Sequence, residues 1–508
     1  MKENFFIKVT LFFTGAAIMV IELLGTRIIG PYFGAGLYVW SSLITVTLTA
    51  LAIGYWLGGK AADKRPDADA LYLSIFLAGL WLILVPSMTG PGLTVSRILG
   101  IKWGSLASAF ILFAVPLVFL GAVTPFAVKI TTRGLKVLGT AAGNLYAIST
   151  VGSVAGAVLT GFVLIPNIGV RKIIYLQALI LILLWAGHLI IRKKYGKGLF
   201  SIPFLAVCVF NWQADQKLFS GEKFKIIYKA ESLYGDVKVA DRENERWLLI
   251  DGICNTVIDK RTGESLLEHS FYLEMPVHMN LEAKDMMLLG LGGGALAGAY
   301  KEYGMNVDGV EIDPNVVFAA KKYFKCGESL KNIYLQDGRY YLMNTKKKYD
   351  IVIFDAFSAS GLPFHLCTRE TFLSAKDILK EGGIVGINAV SFFKGDGSVL
   401  WKSIYKTLRQ VFPHVGIYVV KTGMDLKNII FLASEKELKV AAGFSLRYRN
   451  EECRKFLSRM LKNEVKYYGG EGIILTDDYN PIDTWNAKIS EKGRDIIFKF
   501  FEKEVLLK

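Results

Sequence analysis

Three acids, each closing an apolar run, are the residues best placed for chemistry. DMMLLG at 285–290 runs into Gly290-Leu291-Gly292-Gly293-Gly294-Ala295. Glu311 closes the next run in VEIDP, nineteen residues after Gly292, Asp337 stands before Gly338 after NIYLQ, and Asp355 ends DIVIFD. Glycines at the turn let the backbone bend tightly and approach a nucleotide closely. An acid one strand later can accept hydrogen bonds from both hydroxyls of a ribose. An acid with a flexible neighbour, as in Asp337-Gly338, can meet an adenine amino group, and Asp355 falls at the carboxyl edge where open sheets bind ligands. The series points to an adenosine-containing ligand. Gly290, Gly292 and Ala295 also satisfy the dinucleotide pattern, so the loop alone leaves the ligand open. A nicotinamide reading, however, gives Asp337 and Asp355 no work.

The elements that must hold these residues follow from periodicity. Strands are expected near 285–290, 306–312, 332–336, 350–355 and 383–389, with helices at 294–303, 314–324, 339–345 and 369–380 between them. That alternation predicts a parallel, doubly wound sheet. Ahead of it, FKIIYKA, DVKVAD and RWLLIDG alternate with period two and predict a small antiparallel sheet. The expected organisation is a polytopic helical membrane domain over 1–214, a small β-sheet domain over 222–280 and a Rossmann-like domain over 281–508.

Charge supports that division. The chain has 508 residues and a net charge of +15, yet residues 1–214 hold 17 Lys/Arg against only five acids. Most of the excess therefore lies in the apolar half, which argues against a nucleic-acid footprint. Six apolar runs, near 5–26, 39–58, 71–90, 105–128, 140–165 and 172–191, are long enough to cross a hydrocarbon core of about 30 Å. Leu199–Trp212 is a shorter run that leaves the number of spans at six or seven. Lys and Arg concentrate on one set of flanks (Lys2, Lys60, Lys64, Lys129, Arg192–Lys194), which predicts a cytoplasmic amino terminus. Gly152 and Gly156 predict close helix packing, and Glu22 with Arg27 forms a charged pair at the end of the first run. The five cysteines are scattered without CxxC spacing, so neither a disulfide framework nor a metal site is expected.

The soluble half resembles the polyamine aminopropyltransferases, the spermidine synthase-like family, and the whole chain looks like its membrane-fused members. The shared residues are Leu249-Ile250-Asp251-Gly252, the segment Tyr272 to His278, Gly290 to Gly294, VEIDP at 310–314, Asp337-Gly338 and Asp355. The resemblance implies transfer of an aminopropyl group from decarboxylated S-adenosylmethionine to an amine such as putrescine, releasing methylthioadenosine. Asp355 would be the catalytic base. Gly290, Gly292 and Gly294 would shape the nucleoside pocket, Glu311 would hold the ribose, and Asp337 and Gly338 the adenine. It implies no permanently bound cofactor, a small amine and the lipid bilayer as partners, no nucleic acid, a homodimer, and a soluble domain facing the cytoplasm.

This chain departs from the family mostly on the amine side. The acid of the glycine loop is Ala295, the second acid of the base motif is Ser358, and the His, Gln and Tyr-Gln positions read Leu273, Asn255 and Tyr234-Gly235. Tyr272, Glu274, Asp251 and Ser358 remain as amine-binding candidates, with Asp477 and Asp478 of the TDDYNP segment, which is expected to fold over the pocket. His365 is a further candidate. Two other readings stay open: an adenosyl-ligand or polyamine transporter or sensor with a degenerate domain, and a methyltransferase using intact S-adenosylmethionine.

Overall fold

The computed structural model describes residues 2–34, 36–132, 138–214, 221, 223–326, 330, 332–357, 361–420, 425–440 and 449–500. It divides into two compact units, Met1–Lys217 and Leu218–Lys508.

Among the described residues of the first unit, six helices are long and apolar enough to cross a membrane. They are α1 (Lys2–Phe33), α2 (Leu37–Lys64), α3 (Ala68–Ser96), α4 (Gly100–Thr131), α5 (Leu138–Ile168) and α6 (Val170–Ile191). A seventh, α7 (Ile202–Ala214), has 13 residues. Helical turns at Tyr195–Gly198 and Leu199–Ser201 lead into it without a break, and its apolar part, Leu199–Asn211, is shorter than the other six. Small residues set the packing. A Cβ on Gly152 would lie 2.0 Å from the Phe12 carbonyl oxygen, and one on Gly156 2.7 Å from that of Ala16, so α1 and α5 touch backbone to backbone. Gly54 and Gly58 of α2 sit likewise against Val118 and Ala122 of α4. Single π-helical turns interrupt α4 at Phe110–Ala114 and α5 at Thr160–Leu164. Buried His188 joins α6 to α3 through a 2.8 Å bond to Asp69 and stacks on Tyr72. Glu22 and Arg27 both lie inside α1, and a five-residue spacing puts them on different helix faces.

The second unit carries two sheets. The smaller is the antiparallel meander β1 (Lys225–Glu231), β2 (Asp236–Arg242), β3 (Glu245–Ile250) and β4 (Ile253–Asp259). The larger contains β5 (Asp285–Leu289), β6 (Asn306–Glu311), β7 (Asn332–Leu335), β8 (Tyr349–Phe354), β9 (Leu379–Phe392), β10 (His414–Val419) and β11 (Leu426–Ser434). Their spatial order is β10-β11-β9-β8-β5-β6-β7. Strands β5 to β9 pair in parallel as the alternation predicts, whereas β11 and β10 add antiparallel, so the sheet is mixed. The strand–helix alternation read from the sequence ends at 389, short of this antiparallel edge.

Strands β5 and β8 are apolar without alternation because helices cover both their faces. Met286 to Leu289 and Ile351 to Phe354 are at most 2% exposed. Truncating one of these side chains to alanine would cost about 2–5 kcal/mol. Among the described residues nine helices flank the sheets: α8 (Glu268–Tyr272), α9 (Met275–Met279), α10 (Ala295–Glu302), α11 (Pro314–Tyr323), α12 (Gly338–Asn344), α13 (Arg369–Asp377), α14 (Val399–Leu408), α15 (Glu451–Lys462) and α16 (Ile482–Phe500). Side-chain caps start several of them, among them Asp313 on α11, Asp337 on α12 and Thr368 on α13.

Candidate active site

The carboxyl ends of the parallel strands open into a cavity of about 420 Å³. Its walls come from β4, the glycine loop, the ends of β6, β7 and β8, and α16. Gly290, Gly292, Glu311, Asp337, Gly338 and Asp355 all line it.

The glycine loop is shaped by close approach. Gly290 has φ +87°, and a Cβ there would lie 2.6 Å from the Asp355 carbonyl oxygen and from the Ala356 Cα. Gly292 has φ +52°, and its Cβ would lie 2.8 Å from Thr256 Oγ1. The Gly293 N–H donates to that same oxygen at 2.8 Å, pinning the loop to the small sheet. Gly294 is not a wall residue. It begins α10 at φ +76°, where a Cβ would collide with Cys326 Sγ, so its role is packing.

At one end of the cavity the acids are already fixed by the backbone. Glu311 Oε1 accepts from the Ile312 and Asp313 N–H groups at 2.9 and 3.0 Å, and Oε2 accepts from Leu291 N–H at 3.0 Å. One lone pair of Oε2 remains to take a hydroxyl proton. Burial raises the Glu311 carboxyl above its ordinary value, against the pull of those N–H groups. Asp337 Oδ1 caps α12 through Tyr340 N–H at 2.9 Å, and Oδ2 meets His365 Nε2 at 3.0 Å. The His365 hydrogen bond holds Asp337 below the ordinary carboxyl range. His365 thus enters the site as the partner of Asp337.

At the other end Asp355 sits just beyond β8, partly exposed to the cavity and shielded from bulk water by its walls. Burial pushes its carboxyl up to about 7. Asn388 of β9 donates to Asp355 Oδ1 at 2.8 Å and pulls in the opposite direction. Asn428 of β11 donates in turn to Asn388 Oδ1 at 3.0 Å. Both asparagines line the cavity, and the periodicity had passed over them. The signal was there: an Asn in the run GIVGINAV is a buried polar group that needs a partner. His269 also faces the cavity, and burial lowers it to about 4, so it is neutral at pH 7.

Five of the six amine-binding candidates fall elsewhere. Glu274 is buried against Arg449, accepting from Nε and Nη2 at 3.0 and 2.9 Å, with Tyr303 OH at 3.0 Å. Tyr272 is buried, and its hydroxyl joins Glu268 and Asn463 at 3.2 Å each. Asp251 locks the turn between β3 and β4 at φ +48°, accepting from Asp236 N–H at 2.9 Å. Asp477 forms a bidentate pair with Arg339, and Asp478 is exposed. None of these five is a wall residue of the cavity, so the TDDYNP segment does not close over it. Instead it braces the loop after β8, where Asn480 Nδ2 donates to the Phe364 carbonyl at 2.9 Å. Ser358 lies outside the described residues.

Residues 265–442 match the family described as Spermine/spermidine synthase domain. A probable polyamine aminopropyl transferase of Bifidobacterium longum is 28% identical over 278 residues, 51% of this chain and 61% of that protein. The polyamine aminopropyltransferase of Buchnera aphidicola is 26% identical over 51% of this chain and 89% of its own length. That of Vibrio vulnificus is 30% identical over 42% of this chain and 74% of its own length. The chain belongs to the spermidine synthase-like, polyamine aminopropyltransferase family, a family of transferases.

Proposed function

We propose that the protein transfers the aminopropyl group of decarboxylated S-adenosylmethionine to an amine. The observation that carries this reading is the placement of Asp355, a carboxyl raised to about 7 in the same cavity as Glu311 and Asp337. In solution near neutral pH an amine is protonated and has no lone pair to offer. A carboxylate within hydrogen-bond reach takes that proton. The nitrogen then attacks the aminopropyl carbon beside sulfur, the C–N bond forms, and the C–S bond breaks with both electrons going to sulfur. The sulfonium becomes neutral methylthioadenosine, which makes it a good leaving group. Glu311 and Asp337, held by N–H groups before any ligand arrives, fix the nucleoside so that the carbon faces Asp355.

The six long apolar helices would anchor the enzyme in a membrane. If the shorter apolar stretch Leu199–Asn211 does not span, both ends of the helical unit lie on one side, and the Lys/Arg flanks favour the cytoplasm for that side. A reporter fused at Lys508 should be active only when facing the cytoplasm, and activity on the outer face would overturn the orientation.

Methyl transfer is the second reading, favoured by Ala295, a wall residue that offers the cationic aminopropyl arm no acid. The full-length protein, given decarboxylated or intact S-adenosylmethionine with a panel of amines, separates the two by mass spectrometry. Methylthioadenosine supports aminopropyl transfer. S-adenosylhomocysteine supports methyl transfer and refutes it.

A further inference from the structure

The order of the strands sorts the cavity into two ends. Glu311 closes β6 and Asp337 follows β7, on one side of β5. On the other side come Asp355 after β8, Asn388 and Val390 on β9, and Leu426 and Asn428 on β11. Helix α16 adds Ile489 and Ser490 to that second end, packing against β9 and β11.

The acids of the described wall are Glu311, Asp313, Asp337 and Asp355. Three are already engaged at the first end. Glu311 takes three backbone N–H groups, and Asp337 caps α12 and meets His365. Asp313 caps α11 and accepts from Ser232 Oγ at 2.6 Å. Beyond Asp355, the second end offers amides, a hydroxyl and aliphatic side chains, and no carboxylate among the described residues.

We infer that the acceptor is a monoamine whose far end is neutral, and that diamines are poor substrates. The inference rests on the aminopropyl transfer proposed above. Asp355 receives one proton from one ammonium, and the donor's own aminopropyl ammonium must share the same carboxylate. A second ammonium on the acceptor would enter the β9–β11 end with no carboxylate among the described wall residues to pair it, a costly burial. A methyl or hydroxyl end group suits that wall, since Asn428 can exchange hydrogen bonds with a hydroxyl and Val390, Leu426 and Ile489 can cover a methyl.

The test uses the full chain in detergent or nanodiscs with decarboxylated S-adenosylmethionine and three acceptors with the same four-carbon chain: 1-aminobutane, 4-aminobutan-1-ol and 1,4-diaminobutane. Methylthioadenosine release and product mass give kcat/KM for each. Either monoamine should exceed the diamine by at least about tenfold. A diamine that equals or leads both monoamines overturns the acceptor inference and leaves the transfer reading standing. If no amine releases methylthioadenosine while calorimetry still shows that nucleoside binding, the transfer reading itself falls and the acceptor inference with it.

Discussion

The two ends of the cavity are built on different principles. At the end proposed to take the nucleoside, Glu311 and Asp337 are oriented by backbone N–H groups, so their geometry exists before ligand arrives. At the end proposed for the acceptor, Asp355 is oriented by a side chain from β9, itself held by one from β11. Recognition there depends on strands far apart in sequence. The first design fixes what is bound, and the second leaves room to change what reacts, because side chains are replaced more easily than backbone.

Substitutions should separate the ends. Asp355→Asn has the largest expected effect, a loss in kcat of about 10²–10⁴-fold with the affinity for methylthioadenosine kept within a few-fold, checked by single-turnover rates and calorimetry. Loss of nucleoside binding in this variant would erase the distinction. The same group sets the pH dependence. Because the base must be ionised, kcat/KM in the parent should fall about tenfold per pH unit below about 7. For stability the sign is opposite. The folded state holds this proton more tightly than the unfolded chain, so the carboxyl removes stability as pH rises from its ordinary value of 3.8 to about 7. Asp355→Asn should therefore melt no lower than the parent at pH 8.

Glu311→Gln comes next. It removes a charge and leaves one oxygen for three N–H donors, so methylthioadenosine should bind about tenfold or more weakly, with acceptor preference unchanged. Asn388→Ala is smaller, about three- to tenfold in kcat. Because the Asn388 hydrogen bond lowers the Asp355 carboxyl, its loss should move the acidic limb of the pH profile upward; a downward move would show that Asn388 does not govern the base. His365→Ala should be the mildest, weakening nucleoside binding about threefold and leaving the pH profile in place.

Much of this was legible in the chain itself. The glycine loop, Glu311, Asp337 and Asp355 could be placed because each sits at a fixed offset from an apolar run, and strand ends converge on one edge of a parallel sheet. What escaped was nonlocal. Glu274 looked available for an amine because nothing near it in sequence showed Arg449, which neutralises it from across the fold. Asp477 looked like a spare acid for the same reason, its partner Arg339 lying far upstream. Asn388 and Asn428 acquire meaning only once β9 and β11 are paired, and no local period announces that register.

The wall that α16 contributes has a consequence for how the protein is made. Ile489 and Ser490 leave the ribosome after every described strand and every long apolar helix. At about 5–20 residues per second, the nucleoside end can fold while the acceptor end still lacks a side. A nascent chain could therefore hold a nucleoside before it can perform any transfer, and a tag or truncation reaching into 482–493 would arrest the molecule at that half-finished stage.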